Sequence, residues 1–215
     1  MKSVEIKGLK IPGVKVITYG KYFDSRGYFT ETYNLSQLTA IDSSVFPSRN
    51  EFVQVNESYS KRGTVRGLHF QWNPAMGKLI RTQYGHMIDV VLDIRKGSPT
   101  LGSVLLHDMP QRPDDETTQW IWVPPGFAHG NFFLEESLIE YFCTAEYNPD
   151  CEASISPFSD DLDWSLCDPA LKKQFDDIIS GGLLISDKDR DGITLKQWLG
   201  DERSNVFRFE QGLGK

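Results

Sequence analysis

The chain has 215 residues, of which 39% are hydrophobic, and this size predicts one large domain with a buried core that needs no disulfide or metal. Its formal net charge of −7 argues against an electrostatic nucleic-acid binder, which needs a basic face. We find no signal peptide and no stretch near the ~18 apolar residues of a membrane helix. The three cysteines form no CxxC pair, which indicates neither a zinc site nor a disulfide framework. We therefore expect a cytoplasmic protein that binds neither nucleic acid nor membrane.

The negative charge is concentrated in the tail. Before Asp150 there are 15 basic and 16 acidic residues, whereas from Asp150 onward there are 8 and 14. Because the body is near neutral, an anionic substrate would have to be held there by a few local cations.

The first 150 residues predict strand after strand. The segments are short, rich in β-branched and aromatic residues, and bounded by Gly, Pro, Asn or Asp, and several alternate apolar with polar residues. No ten-residue helical pattern intervenes, which excludes βαβ folds and favours a sandwich, jelly roll or barrel. The predicted strands cover residues 14–19, 28–33, 52–56, 87–94, 103–107, 120–123 and 137–144.

The tail predicts helices. Asp168 is a candidate N-cap before Pro169, and Gly181 follows a predicted helix over 168–180. A second short helix is predicted from Thr194. The tail is too short for its own core, so we expect it to pack on the β-body. The first helix carries one apolar stripe, formed by Leu171, Phe175, Ile178 and Ile179.

Metal sites are disfavoured. Residues 187–198 carry acids at positions 1, 3 and 5 and glycine at 6 of a calcium loop, but the twelfth position is Trp198 instead of a bidentate Glu. The histidines stand singly, without the close pairs that a metal cupin needs. They are His69, His86, His107 and His129.

Two histidines lie in unusual settings. His69 lies in residues 64–71, where alternation predicts a strand that also carries Arg66, and His129 lies in a turn braced by Pro and Gly over residues 123–130. On composition alone, either could be a packing residue.

Two motifs are specific, Val65-Arg-Gly-Leu-His-Phe-Gln71 and Val123-Pro-Pro-Gly-Phe-Ala-His-Gly130. With them the chain resembles the dTDP-4-dehydrorhamnose 3,5-epimerase family of cupin-like sugar-nucleotide epimerases, in family order over about residues 12 to 190. The other matching segments are residues 24–31, 52–58, 77–81, 88–102, 141–152 and 184–189.

The resemblance implies an all-β fold, a double-stranded β-helix (jelly roll) with a short C-terminal helical extension, which dimerises by exchanging N-terminal strands. The single domain, 1–215, would comprise dimerisation strands (1–50), a jelly-roll core (51–165) and a helical tail (166–215). The resemblance implies no cofactor and no metal. We expect two packed sheets over residues 52–144, with His69, Lys78 and Tyr141 converging in one barrel mouth.

The resemblance also implies a chemistry. The family inverts C3, C5 or both beside the keto group of a nucleotide-linked 4-keto-6-deoxy sugar, in deoxysugar biosynthesis of the polysaccharide or O-antigen type. Such a C–H is acidic because the enolate delocalises charge onto oxygen, and His suits its removal near neutral pH. By resemblance, His69 is the base and Asp189 orients it. Lys78 stabilises the enolate oxygen, and Tyr141 returns a proton from the opposite face.

The binding residues are carried over in the same way. Arg66 would meet the diphosphate, since its guanidinium forks onto phosphate oxygens. Arg26 and Glu31 would hold the nucleotide across the dimer. The remaining substrate-binding positions are Gln54, Asn56, His129 and Tyr147.

Some positions depart from the family. Glu57 stands where the family has His, Asn131 where it has Phe, residues 119–121 where it has Arg-Gln-Leu, and Glu146 where it has the first of two tyrosines. The catalytic positions match while several positions around them differ, which indicates an active epimerase on a related sugar nucleotide.

Three alternatives stay open. One is an epimerase acting at one carbon only, or on a CDP- or GDP-linked sugar, because the same catalytic residues would serve. Another is a catalytically silent cupin that binds a sugar nucleotide, although a mere binder has no need of all four catalytic positions. The third is a metal cupin oxygenase or isomerase, which the lone histidines disfavour.

Overall fold

Strands dominate the computed structural model, which describes residues 1–46 and 52–209. In chain order they are β1 (Lys2–Gly8), β2 (Lys15–Gly20), β3 (Tyr22–Asp24), β4 (Gly27–Phe29), β5 (Gln54–Ser60), β6 (Val65–Gln71), β7 (Lys78–Asp93), β8 (Val104–Gln111), β9 (Thr117–Val123), β10 (Phe127–Phe133), β11 (Ser137–Cys143) and β12 (Glu152–Ser154). The α-helices are α1 (Leu35–Ile41), α2 (Pro169–Gly181), α3 (Asp187–Arg190) and α4 (Leu195–Gly200). Short 3-10 turns occupy Pro149–Cys151 and Glu202–Val206.

Two sheets share the long strand β7. Its first half pairs with β9 and β11 in the first sheet, ordered β1-β2-β9-β7-β11-β5, and its second half pairs with β8 and β10 in the second, ordered β8-β7-β10-β6-β12. The change of partners falls at Gly85, whose φ is +103°. A Cβ there would lie 2.5 Å from the backbone oxygen of Glu136, so only glycine fits this bend.

Apolar packing covers both faces of each sheet. Ile80 and Ile121 of the first sheet meet Met87 and Val91 of the second in the interior. The outer face of the first sheet packs under α1, and the outer face of the second packs against the tail. This arrangement explains why β10 is buried at every position instead of alternating.

The fold class is confirmed: the molecule is an all-β jelly roll with a short helical extension at its C-terminal end. Some element predictions are wrong. The segment around His129 is a turn only through Gly126 and then becomes β10. The sequence analysis predicts neither β1 nor α1. The strand expected over 28–33 is limited to Gly27–Phe29. The expected boundary between residues 50 and 51 lies outside the described residues.

Both tail helices are confirmed. The Asp168 side chain accepts from the backbone N–H of Ala170 at 2.7 Å as the N-cap of α2, and Thr194 caps α4. Gly181 is the last residue of α2 instead of the first beyond it. Phe175 is buried in the core of the second sheet, whereas Ile179 is 37% exposed and lies off the packed stripe. None of the helices in the described ranges is long and apolar enough to cross a membrane.

Candidate active site

A cavity opens between the two sheets. It is lined from the first sheet by β5, β11 and the start of β7, and from the second sheet by β6 and β10. The predicted positions Arg66, His69, Lys78, His129 and Tyr141 all reach it. Its lining residues are Ser58, Arg66, His69, Lys78, Ile80, His129, Gly130, Asn131, Ile139 and Tyr141.

A β-bulge brings Arg66 and His69 to the same cavity. On β10, His129 pairs with His69 and Asn131 pairs with Arg66, so two residues of β6, Gly67 and Leu68, oppose the single Gly130 of β10. Strict alternation would place residues three apart on opposite faces, and the extra residue cancels that difference. Gly67, with φ of +106°, permits the bulge, because a Cβ there would lie 2.7 Å from the backbone oxygen of His129.

His69 is held by Asp189. The Nε2 of His69 lies 2.6 Å from Oδ1 of Asp189, although 120 residues separate them, and the backbone N–H of Gly67 donates to Oδ2 at 3.3 Å. Burial alone raises the pKa of Asp189, but the hydrogen bonds from His69 and Gly67, with Ser186, outweigh it and hold that pKa below its usual range. The carboxylate therefore stays ionised at neutral pH and orients the imidazole.

Two aspartates of the calcium-like loop, residues 187–198, form hydrogen bonds and ion pairs with other side chains of the protein. Asp187 and Asp189 lie in the helical turn α3, where Asp187 pairs with Arg190 at 3.0 Å and Asp189 faces His69. Among the described residues, we find no group of three or more His, Cys, Asp or Glu side chains placed to hold a metal ion.

Lys78 begins β7 at the cavity wall. Burial lowers the pKa of its ammonium, and Cys143, Glu152 and Asp89 offset this only in part. Within the described ranges this ammonium forms no side-chain hydrogen bond or ion pair, so it is free to meet an oxygen of a bound molecule.

Tyr141 faces the cavity from β11. Asn56 is its direct partner on β5. Burial, followed by the neighbouring Cys143, raises the pKa of Tyr141, and Asn56 and Arg66 oppose that shift in part. The phenol is thus fully protonated at neutral pH and can donate a proton.

A second histidine–carboxylate pair supports the wall. The Nε2 of His129 lies 2.7 Å from Oδ2 of Asp89, and both side chains are buried. Sequence reasoning missed Asp89, although an acid between apolar residues on both sides, within residues 87–92 of β7, is a signal that could have found it.

Arg66 lies at the mouth of the cavity. Its Nε donates to Ser60 Oγ at 2.9 Å and its Nη2 donates to the backbone oxygen of Tyr59 at 3.3 Å. These bonds leave the rest of the exposed guanidinium for a ligand.

Other predicted positions do not line the cavity of their own chain. Arg26 lies in the β3–β4 hairpin with its side chain 87% exposed, paired with Asp24. Glu31 accepts from the N-terminal amine of Met1. Gln54 donates to Asn56 at 3.0 Å and accepts from the backbone N–H of Tyr147 at 2.9 Å. Asn56, the direct strand partner of Tyr141, thus links Gln54 and, through it, Tyr147 to the cavity wall.

The chain matches the family model of dTDP-4-dehydrorhamnose 3,5-epimerase over residues 8–197. Enzymes of that name are among its relatives. The protein from Methanothermobacter thermautotrophicus is 37% identical over 191 residues, covering 87% of this chain and 92% of the relative. The protein from Mycobacterium tuberculosis is 38% identical over 197 residues, covering 84% and 92%.

Solved structures agree with this match. The dTDP-6-deoxy-D-glucose-3,5-epimerase of Legionella pneumophila, in complex with dTDP-4-keto-L-rhamnose, superposes with a TM-score of 0.78 at 30% identity, covering 97% of this chain and 100% of that one. A 3'-monoepimerase of Streptomyces bikiniensis, in complex with dTDP-quinovose, gives 0.72 at 27% identity, covering 94% and 98%. With the family model spanning most of its length, this chain belongs to the dTDP-4-dehydrorhamnose 3,5-epimerase family and is a sugar-nucleotide epimerase.

Proposed function

We propose that the protein inverts C3, C5 or both in a dTDP-linked 4-keto-6-deoxy sugar, through an enolate formed by His69 and protonated by Tyr141. One observation carries this proposal: His69 comes from the second sheet and Tyr141 from the first, and both line one cavity. A base and an acid on opposite walls are what inversion requires, because a single group would return the proton to the face it left.

The base step follows from the His69–Asp189 pair. The imidazole removes the proton next to the ketone with the ring nitrogen that Asp189 does not hold, and the C–H electron pair moves into the enolate. The Asp189 carboxylate stabilises the imidazolium that results, as in other base–orienter pairs.

Lys78 stabilises the enolate. A half-buried ammonium without a partner in the described chain meets the developing negative charge on the sugar oxygen at little reorganisation cost, and low local polarity strengthens that attraction. Tyr141 then donates its proton to the opposite face of the carbon and recovers one from solvent.

The substrate is tested by incubation with dTDP-4-keto-6-deoxyglucose in D₂O, with CDP- and GDP-linked sugars in parallel. We expect deuterium at C3, C5 or both, with inversion of each labelled carbon, and preference for the dTDP sugar. The solved structures similar to this chain include a 3,5-epimerase and a 3'-monoepimerase, so the labelling pattern identifies which of the two activities applies. Tight binding of these sugars without any label would instead support the silent cupin.

Arg66 and a second subunit bind the nucleotide in this proposal. Arg66 is the cation at the cavity mouth, and Arg26 does not line its own cavity but is exposed on a hairpin with four exposed aromatic side chains. By the family resemblance, we propose that Arg26 and Glu31 contact the nucleotide bound by the partner subunit. The four aromatic residues are Tyr22, Phe23, Tyr28 and Phe29.

The protein should therefore be a homodimer in sedimentation, and Arg26→Ala should raise KM with little change in kcat. Arg203→Ala is the matched control, because Arg203 forms the same 2.6 Å pair with an aspartate two residues before it. A fully active monomer, or equal KM values for the two variants, would contradict the shared site.

Asp189→Asn should lower kcat about 10- to 100-fold while leaving KM nearly unchanged, because the imidazole remains but loses its orientation and the charge that supports its protonated form. Since the pKa of Asp189 lies below its usual range, the carboxylate is lost only in strong acid. Even ordinary carboxyl pKa values lie near 4. The ratio of wild-type kcat to variant kcat should therefore stay large from neutral pH down to about pH 5. Asp187→Asn removes the same charge from the same turn and should be nearly silent. Equal activity of the two variants would exclude this role.

A further inference from the structure

Asn131 is a buried amide inside the cavity. It lies on β10 two residues beyond His129, is 6% exposed and lines the cavity. Its Oδ1 is fully buried and has no hydrogen-bond partner among the residues that the structure describes. Buried polar atoms are nearly always paired, so a buried amide oxygen beside an active-site cavity needs an explanation.

The neighbouring strands do not supply the missing donor. Asn131 pairs directly with Arg66 on β6 and with Asp89 on β7. Arg66 donates to Ser60 and Tyr59, and Asp89 brings a second buried oxygen, Oδ1, that also has no partner in the described ranges. Two buried oxygens on neighbouring strands, Asn131 Oδ1 and Asp89 Oδ1, are therefore without a donor in the described ranges.

We propose that Asn131 determines substrate specificity by accepting a hydrogen bond from a hydroxyl group of the sugar ring. This inference rests on the proposed function and narrows its substrate class. Across the cavity, Lys78 has only donors to offer and suits the keto oxygen, which can only accept. A ring hydroxyl can donate and so fits Asn131 Oδ1. The enzyme should thus select 4-keto sugars that keep this hydroxyl over their deoxy counterparts.

The test compares the parent sugar nucleotide with its 2-deoxy and 3-deoxy analogues. The readout is kcat/KM for deuterium exchange at whichever keto-adjacent carbon the wild type labels, since both analogues retain an exchangeable C–H there. We expect the wild type to lose about 10- to 100-fold on one analogue, because the buried acceptor is then left without its hydrogen bond. Asn131→Leu should lose a similar factor on the parent and show no further loss on that analogue.

Two further variants keep the test decisive. Ile139→Val changes another lining residue and should leave the ratio of parent to analogue as in the wild type. If Asn131→Leu is unfolded by circular dichroism, Asn131→Ala, which adds no volume, gives the same comparison. An unchanged ratio in the folded Asn131 variant overturns the inference while the epimerase activity stands. Failure of the wild type on every sugar overturns the proposed function itself, and the inference with it.

Discussion

His69→Asn is expected to abolish both inversion and solvent exchange at the sugar carbons. Without a base no enolate forms, and a positioned general base is worth about 10²- to 10⁴-fold in rate, so the loss should be at least of that order. The measurement is deuterium incorporation from D₂O at C3 and C5, followed by NMR on the substrate that the wild type accepts.

The matched control is His86→Asn. His86 also pairs with an aspartate, at 2.5 Å from Asp108, but that pair is not among the residues that line the cavity. Nucleotide affinity should hardly change in either variant, because we propose that the binding energy resides in Arg66 and the nucleotide contacts. Wild-type exchange in His69→Asn would falsify the assignment of the base even though the fold is right.

Tyr141→Phe is expected to separate exchange from inversion. His69 still forms the enolate, and the protonated imidazole, which exchanges its proton with solvent, returns a proton to the face it came from. Deuterium therefore enters with retained configuration, while inversion falls by about 10²-fold or more. Because burial raises the pKa of Tyr141, the wild-type phenol keeps its proton across the neutral range, and the loss should not depend on pH there.

The control for this variant is Tyr84→Phe, which removes the same hydroxyl from an exposed position on β7. Equal rates of labelling and inversion should persist in it. If Tyr141→Phe instead loses labelling and inversion by the same factor, Tyr141 acts before or during proton removal, and another group returns the proton.

The sequence by itself determined the fold class, and its resemblance to the family supplied the four positions that we propose as catalytic. Alternating strands with turn residues between them predict an antiparallel β-body, and the cap at Asp168 and Pro169 predicts α2. Both signals are local, because each depends only on residues that are near one another in the sequence. His69, Lys78, Tyr141 and Asp189 were assigned through ordered motifs. Their types suit one reaction, and the structure brings His69 and Asp189 to 2.6 Å.

Tertiary structure alone decided what periodicity could not show. β10 is buried on both faces, between the interior of the two sheets and the tail, so its apolar and polar residues do not alternate. The sequence around His129 therefore predicts a turn instead of a strand. The bulge at Gly67 places Arg66 and His69 on one face, against the period of two. Asn131 faces a cavity that no single strand forms, and Asp89 contacts His129 of the neighbouring strand at 2.7 Å. Burial, strand register and the lack of a hydrogen-bond donor arise only when strands pack together, so the local sequence does not predict them.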